Sequence, residues 1–596
     1  MSFTDEVEEL ARRRGFYWPS YEIYGGVGGL YDIGPNGLRV KQKIENLWRH
    51  HFLRGSGFAM VEIETPLVTP ERVLEASGHV DSFTDPLVVC PNCHRVYRAD
   101  QLAQEKLGVK TEGMTLDELR DLYKKNEIKC EACGTRLLDV QYFNLLFQTH
   151  IGPFTSDLGF LRPETAQGIF TAFKRVYESE RRRLPMGVAQ VGRVARNEIS
   201  PRQGLLRMRE FTIMEFEFFF DPERGPDPSD FVQKKVKVRW ANGESSVENI
   251  GSLIESGFLK SPWMGYFMAS TLDFMESLGF SADEVTFLEK GERERAHYSA
   301  QTFDVVVPTK RWGEVEVAGI AYRTDYDLRR HSQFSGEDLS VSVQLPAPEK
   351  RKVVSVKLNR AAIGKRFGER AEDVMKAIYA AAESMRTGSE VASADSGSLK
   401  VQTSFGTLEL GQEYVKVEVS EELVSTKKVF PHVVEPSFGA DRLLYVLLDH
   451  GLKEKEGRRV LSLPAAVAPY DVAVFPLIQE NGMVKKAVEV LDALRGAGFD
   501  ALYDEDGTIG RRYARVDEIG VPWAVTVDEL SVRGKGVTVR ERDTWKQWRV
   551  DEARLAEVLS AMKAGKGAGE LGLAEERTGG EARKKGREGR EREKSW

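Results

Sequence analysis

The alternation of apolar and polar positions is strongest over residues 187–199 and 211–220, which read as two β-strands. The polar stretch Ser200-Pro201-Arg202-Gln203-Gly204 separates them, and that spacing predicts an antiparallel pair. Earlier in the chain the period changes. Leu38, Ile44, Leu47, Trp48 and Phe52 supply one apolar side of a helix over 38–53, which stops at Gly55-Ser56-Gly57. A strand over Met60 to Glu64 follows and is ended by Thr65-Pro66. Glu314 to Ala318 and Val433 to Phe438 predict two further strands, the second turning through Gly439 into a helix over 442–450. From Val467 the pattern becomes strand, helix, strand (471–475, 483–495, 500–503), as in a small α/β domain with parallel pairing. Residues 221–300 and 345–430 are charged and carry no evident chemistry, so they read as insertions into one domain. The tail after about residue 564 is dominated by Gly, Glu, Arg and Lys and reads as disordered.

Composition narrows the class without deciding it. The chain has 596 residues, 41% hydrophobic and 30% charged, with a formal net charge of −7. That suits several globular domains, and any phosphate binding must come from local basic groups. The longest apolar candidate, Ala465 to Ile478, is broken by two prolines and Asp471, short of the ~18 residues a membrane helix needs. With an acidic N-terminus and no apolar leader, the expectation is a cytoplasmic protein without a membrane partner. The four cysteines form two Cys-x-x-Cys pairs, Cys90/Cys93 and Cys130/Cys133. Two such knuckles suit a closed, structural Zn²⁺ site, with a helix over 116–125 inserted between them; free or redox-active thiols are the alternative. His94 is a spare ligand that four cysteines make unnecessary.

Two segments carry candidate chemistry. On a strand, residues two apart share a face, so Arg196 and Glu198 point together, as do Phe211, Ile213 and Glu215 across the hairpin. If those faces coincide, a guanidinium able to clamp phosphate, a ring able to stack a base and two carboxylates meet. An exposed sheet face with a salt bridge would give the same pattern. In Glu435-Pro436-Ser437-Phe438-Gly439-Ala440-Asp441-Arg442, Glu435 and Ser437 share a strand face and Arg442 opens a helix. A capped helix with a surface arginine is the plainer reading. Gly25-Gly26-Val27-Gly28-Gly29 lacks the Gly-Lys-Ser/Thr of a phosphate loop, which leaves an ATP site of another kind.

Together these segments resemble the three signature motifs of the class II aminoacyl-tRNA synthetases, and more closely the glycyl branch of archaeal and eukaryotic type. The likeness is carried by Ile23 to Val27, Tyr31 to Pro35, Ala76 to Asp81, Leu161-Arg162-Pro163-Glu164-Thr165-Ala166-Gln167-Gly168, Arg196 to Arg202, Ala296-His297-Tyr298, Gly319 to Leu328 and Glu435 to Gly439. It covers most of 15–340 and 430–550. The resemblance implies an α+β fold: an antiparallel sheet flanked by helices, a zinc-ribbon-like insertion, further insertions and a C-terminal α/β anticodon-binding domain. The implied division is 1–84 (catalytic, motif 1), 85–145 (zinc-binding insertion), 146–220 (motif 2), 221–300 (insertion), 301–344 (catalytic), 345–430 (insertion), 431–466 (motif 3), 467–562 (anticodon-binding) and 563–596 (charged tail).

It further implies ATP with Mg²⁺, glycine and tRNA(Gly) as substrates, and a homodimer built through motif 1. Arg196, Glu198 and Arg442 would serve catalysis. Arg207, Phe211 and Glu316 would complete the ATP site, and Glu164, Glu215, Glu316, Glu435 and Ser437 would receive glycine. A site crowded with carboxylates suits an ammonium group, and glycine must be told from alanine by steric exclusion. Arg511, Arg512, Tyr513 and Arg515 are implied RNA contacts; the basic runs Arg181 to Arg183 and Lys584-Lys585 read as solvated surface. The family pattern has aspartate where this chain has Tyr322, which puts individual substrate contacts in doubt. The rival readings are a threonyl, prolyl or histidyl enzyme, and a non-catalytic RNA-binding accessory protein. The Arg-Pro-Glu-Thr and Glu-Pro-Ser segments weigh against the first, and the retained Arg196 and Arg442 against the second.

Overall fold

Phe211 to Phe220 lies third from one edge of a nine-stranded sheet in a computed structural model that describes residues 6–153, 157–201, 203–227, 230–387 and 398–576. The strands are β1 (Ala59–Glu62), β2 (Met186–Ala195), β3 (Glu210–Phe220), β4 (Lys235–Arg239), β5 (Ser245–Asn249), β6 (Thr286–Glu289), β7 (Gln301–Thr309), β8 (Gly313–Thr324) and β9 (His432–Gly439). Their order is β5-β4-β6-β7-β8-β9-β3-β2-β1. From β6 to β2 every pairing is antiparallel. The sheet departs from the expected all-antiparallel form at two places, where β1 joins β2 and β4 joins β6 in parallel. Parallel neighbours need a long crossover, and the chain supplies one in each case.

Residues 221–300, expected as an insertion, extend this sheet by three strands. They also send the helix Pro262–Ser277 into the main core through Trp263, Met264 and Phe267. The labelled helices are α1 (Pro35–Trp48), α2 (Ala99–Leu107), α3 (Leu116–Asn126), α4 (Ala166–Ser179), α5 (Ala440–Gly451) and α6 (Ile509–Ile519). The helix expected over 38–53 is α1 followed by a wider π turn at Arg49–Arg54. Trp48 and Phe52 are buried against Phe216 of β3 and Phe438 of β9, with ring centroids 5.2–6.4 Å apart. Such aromatic pairs add about 0.5–1.5 kcal/mol each beyond area burial and fix motif 1 to the sheet. Leu38, expected on that apolar side, is instead 46% exposed.

The chain divides into two compact units, Met1–Leu339 with Pro431–Trp596, and Ser340–Phe430. The second is a long antiparallel ribbon, Val341–Leu358 with Val415–Val429, that carries two helices and a hairpin. Its own small core includes Ile363, Ile378, Val401 and Leu410. Within the first unit, the C-terminal segment forms a five-stranded sheet ordered β11-β10-β12-β13-β14. Its strands are β10 (Val472–Pro476), β11 (Ala501–Tyr503), β12 (Trp523–Val527), β13 (Val537–Glu541) and β14 (Gln547–Val550). The first three are parallel, as the strand–helix–strand pattern predicts, and the last two antiparallel. Residues 564–576, read from the sequence as the start of a disordered tail, instead pack on this sheet domain, with Leu571 and Leu573 against its core and Glu576 accepting from Arg549. Arg202, Lys584, Lys585 and the residues beyond 576 lie outside the described residues. Among the described residues no helix is long and apolar enough to cross a membrane.

Candidate active site

A cavity of about 590 Å³ opens where β3, β8 and β9 run side by side. Arg196, Glu198, Arg207, Phe211, Glu316, Ser437 and Arg442 all line it, so seven of the ten non-cysteine residues singled out from the sequence converge there. Arg196 stands just beyond the end of β2, where Val194 pairs with Phe211. Its Nε donates to the Pro163 carbonyl at 3.1 Å, and its guanidinium lies over the rings of Phe211 and Phe83 at 5.4 and 5.3 Å. Arg442, in the first turn of α5, donates to the carbonyl oxygens of Leu206 and Glu316 and sits 3.2 Å from the Glu316 carboxylate. Glu198 accepts from Arg207 at 2.9 Å. Two guanidinium groups and an aromatic ring thus line one pocket, a set that suits a purine triphosphate.

The other three acids do not line the cavity. Glu164, Glu215 and Glu435 are buried, 6%, 0% and 6% exposed. Their organising centre is Arg323, itself fully buried. Arg323 is bidentate to Asp327 at 2.8 and 2.9 Å, donates to Glu435 at 2.7 Å and lies 3.5 Å from Glu164, with the Tyr298 ring stacked at 3.7 Å. Glu215 accepts from both the backbone N–H and the hydroxyl of Thr165 at 2.5 Å, leaving its second oxygen without a partner. Glu316 does not join this group but stays with Arg442 at the cavity.

Burial opposes ionisation of all these acids, and their neighbours divide them. For Glu164, His79 and Arg323 outweigh burial and hold the carboxyl well below its ordinary range. For Glu215, burial and the Glu164 charge push it up against the Thr165 hydrogen bonds. Burial, opposed by Arg323 but aided by Glu215 and Glu164, pushes Glu435 up to about 8. Glu217, two residues along β3 with neither carboxyl oxygen bonded, is raised well above the ordinary value by burial and then by Glu435.

Sequence reasoning missed several supports. Lys41 on α1 donates to Asp441 at 2.6 Å and to the Thr212 hydroxyl at 2.7 Å, and Asp441 also accepts from the Thr212 backbone N–H at 2.6 Å. One buried ion pair thus ties motif 1, motif 2 and motif 3 together. The signal was present: Lys41 falls among Val40, Ile44 and Trp48, on the buried side of the helix. Tyr322 lies outside the cavity lining, with its hydroxyl 2.5 Å from His432 Nδ1 and its ring stacked on Phe220. In the C-terminal sheet domain the expected RNA contacts need correction. Arg512 is buried and donates to the Pro476 and Gly507 carbonyls, while Tyr513 bonds Thr526 and Arg515 is held by Asp504. Only Arg511 of the four stands exposed without such a bond. Arg512 and Tyr513 face the sheet that α6 covers, and packing there decides their roles.

Away from the cavity, the four cysteine sulfurs lie within 4.8 Å of one another. Cys90–Cys133 and Cys93–Cys130 are 3.5 Å apart, close to the ~3.8 Å edge of a tetrahedron with ~2.3 Å metal–sulfur bonds. Each knuckle repeats one backbone bond, Cys90 N–H to the Arg95 carbonyl and Cys130 N–H to the Thr135 carbonyl, both 2.8 Å. His94 is not part of the group. The donor set fits Zn²⁺ in a structural role, with Cys90, Cys93, Cys130 and Cys133 as ligands and no place for substrate. Cys90→Ser should therefore lower bound zinc from about one equivalent toward none and loosen the insertion, as read by elemental analysis and limited proteolysis. Unchanged zinc content would refute the site.

Residues 155–451 match the family described as the tRNA synthetase class II core domain (G, H, P, S and T), and residues 471–562 match the anticodon binding domain. The glycine--tRNA ligase of Aeropyrum pernix is 46% identical over 569 residues, covering 93% of this chain and 96% of that one. Those of Thermococcus sibiricus and Methanocaldococcus jannaschii are 42% and 41% identical, covering 94% and 93% of this chain and 98% of each relative. With a cavity flanked by two arginines and a ring on a class II core, and with this degree of identity over nearly the whole length, the chain belongs to the glycine--tRNA ligases, an archaeal-type branch of the class II aminoacyl-tRNA synthetases.

Proposed function

We propose that the chain condenses glycine with ATP to glycyl-adenylate and pyrophosphate, then passes the glycyl group to the 3′ end of tRNA(Gly). In the first step a glycine carboxylate oxygen attacks the α-phosphorus, the new P–O bond forms, and the bond to the β-phosphate oxygen breaks as pyrophosphate leaves. The carboxylate is already ionised, so the step needs positioning and charge neutralisation rather than a protein base. In the second, the terminal ribose hydroxyl attacks the carbonyl carbon and AMP departs.

The observation that carries this reading is the convergence of Arg196, Arg442, Phe211 and Ser437 on one cavity. Arg196 would neutralise the α-phosphate, and Phe211 and Arg442 would hold the adenine, with Arg442 and Arg207 nearer the outer phosphates. Mg²⁺ carried in with ATP would be held by Glu198 and Glu316. The unpartnered oxygen of Glu215, next to Ser437 across the β3–β9 pairing, would accept the glycine ammonium together with Glu435. Glycine would be told from alanine by steric exclusion of the methyl group. Exposed Ile23, Tyr24, Leu38, Leu67 and Val68 around motif 1 support a homodimer face there. The other domain boundaries of the sequence division, with 221–300 joined to the catalytic sheet, a cytoplasmic location and a zinc-filled Cys₄ site complete the proposal.

Amino-acid-dependent exchange of pyrophosphate into ATP, screened over all twenty amino acids without tRNA, tests it. Exchange with glycine alone is the expected result. Exchange with another amino acid would overturn the specificity, and none from folded, zinc-replete protein would favour the accessory reading.

A further inference from the structure

The nucleotide cavity has a wall that the three signature motifs do not supply. Gln101 and Gln104 of α2, with Glu112 from the loop after it, line the cavity, and all three belong to the cysteine-bearing insertion. The position of α2 is set by that insertion's own core. Leu102 and Ala103 are buried with Cys90, Cys130 and Leu119, and the Tyr123 hydroxyl of α3 donates to the Ala99 carbonyl at 2.8 Å.

From this wall the insertion grips the cavity at two points. On one flank, Gln101 Oε1 accepts from Arg207 Nη1 at 2.5 Å, while Glu198 accepts from Nε of the same arginine at 2.9 Å. Arg207 is thereby held on two edges, one by motif 2 and one by the insertion. Its other terminal nitrogen, Nη2, has no bonded partner among the described residues. On the other flank, Glu112 accepts from Lys290 Nζ at 2.5 Å, and Lys290 lies 3.4 Å from Asp304 on β7, the strand beside Glu316 of β8. A long flexible side chain fixed at two of its three nitrogens loses little further freedom when the third meets a phosphate.

We infer that the cysteine-bearing insertion is a structural wall of the ATP pocket, and that Gln101 is a positioning residue that aims Arg207 at the triphosphate. The inference rests on the reading of the cavity as an ATP site. Its chemistry is neutral: the Gln101 amide oxygen orients the guanidinium without adding a negative charge that would compete with phosphate for it.

The test uses the zinc-replete full chain. Affinity for Mg·ATP is measured by calorimetry, and KM for ATP and for glycine by pyrophosphate exchange, in Gln101→Leu, Arg207→Ala and the double variant. The expected result is that Gln101→Leu weakens ATP about 5–10-fold, the scale of one ordinary hydrogen bond, since Glu198 still holds the other edge of Arg207. KM for glycine, zinc content and melting temperature should stay at wild-type values, and the same change should cost less than about twofold once Arg207 is alanine. Unchanged ATP affinity, an equal penalty with and without Arg207, or a loss shared equally by ATP and glycine with a lowered melting point would each overturn it. Wild-type exchange with glycine tests the activity by itself. The calorimetric comparison still reports the wall if that exchange fails.

Discussion

Replacing Arg196 by alanine should lower glycine-dependent pyrophosphate exchange by at least about 10²–10³-fold while leaving the melting transition nearly unmoved. The size follows from removing one preorganised donor aimed at charge that develops in the transition state. The small structural cost follows from its surroundings: the side chain makes one hydrogen bond, to the Pro163 carbonyl, and rests on Phe211 and Phe83. A neutral bond of that kind contributes about 1 kcal/mol. The fall should appear in kcat, with KM for ATP changing much less. Exchange within tenfold of wild type, from normally folded protein, would remove Arg196 from the reaction.

Arg323→Met should have the largest effect on stability. The substitution leaves Asp327, Glu435 and Glu164 buried without their shared cation, and breaking a buried pair from one side costs about 3–5 kcal/mol. That is a large part of the ~5–15 kcal/mol a folded domain has.

The pH dependence has a sign that can be worked out. Burial pushes the folded Glu435 carboxyl up from its ordinary 4.5 to about 8. Its protonated form is thus favoured by folding; that contribution is complete below about 4.5 and is lost as pH rises through 8. Glu164, held low by His79 and Arg323, contributes in the opposite sense, present above its ordinary value and lost in acid. Removing Arg323 takes away the cation that opposes burial at both sites. The variant should therefore lose stability more steeply than wild type between pH 6 and pH 9, measured as melting temperature across that range. A variant that melts within two or three degrees of wild type at both ends would show that the arginine does not hold the cluster.

Much of the fold could be read from period alone, and the reasons differ by element. β2, β3, β8 and β9 were legible as short apolar runs bounded by turn residues; β2, β3 and β9 are buried on both faces, so the alternation of Glu215 and Glu217 with Phe216 and Phe218 marks buried acids and not a solvent face. The cavity-lining residues followed from that: once the register of a hairpin is set, Arg196 and Phe211 must meet. Residues 221–300 were not legible as part of the sheet, because strand order depends on long-range pairing that leaves no local mark. The same holds for Arg323, whose importance lies in three acids contributed by three separate segments. Arg512 and Tyr513 misled for a different reason. A basic or aromatic residue near the start of a helix looks like an RNA contact, and only the sheet beneath α6 reveals that both face inward. Tyr322 misled in the opposite direction, since the strand turns it away from the pocket toward His432.

The bond between Lys41 and Asp441 spans 400 residues of chain. At a synthesis rate of about 5–20 residues per second, Lys41 leaves the ribosome some 20–80 s before its partner exists. Motif 1 and the Cys-bearing insertion can assemble during that interval, but the part of the cavity wall made by Asp441 and Arg442 cannot. A chain that stops short of Asp441 lacks both this bond and the cavity wall that Asp441 and Arg442 supply.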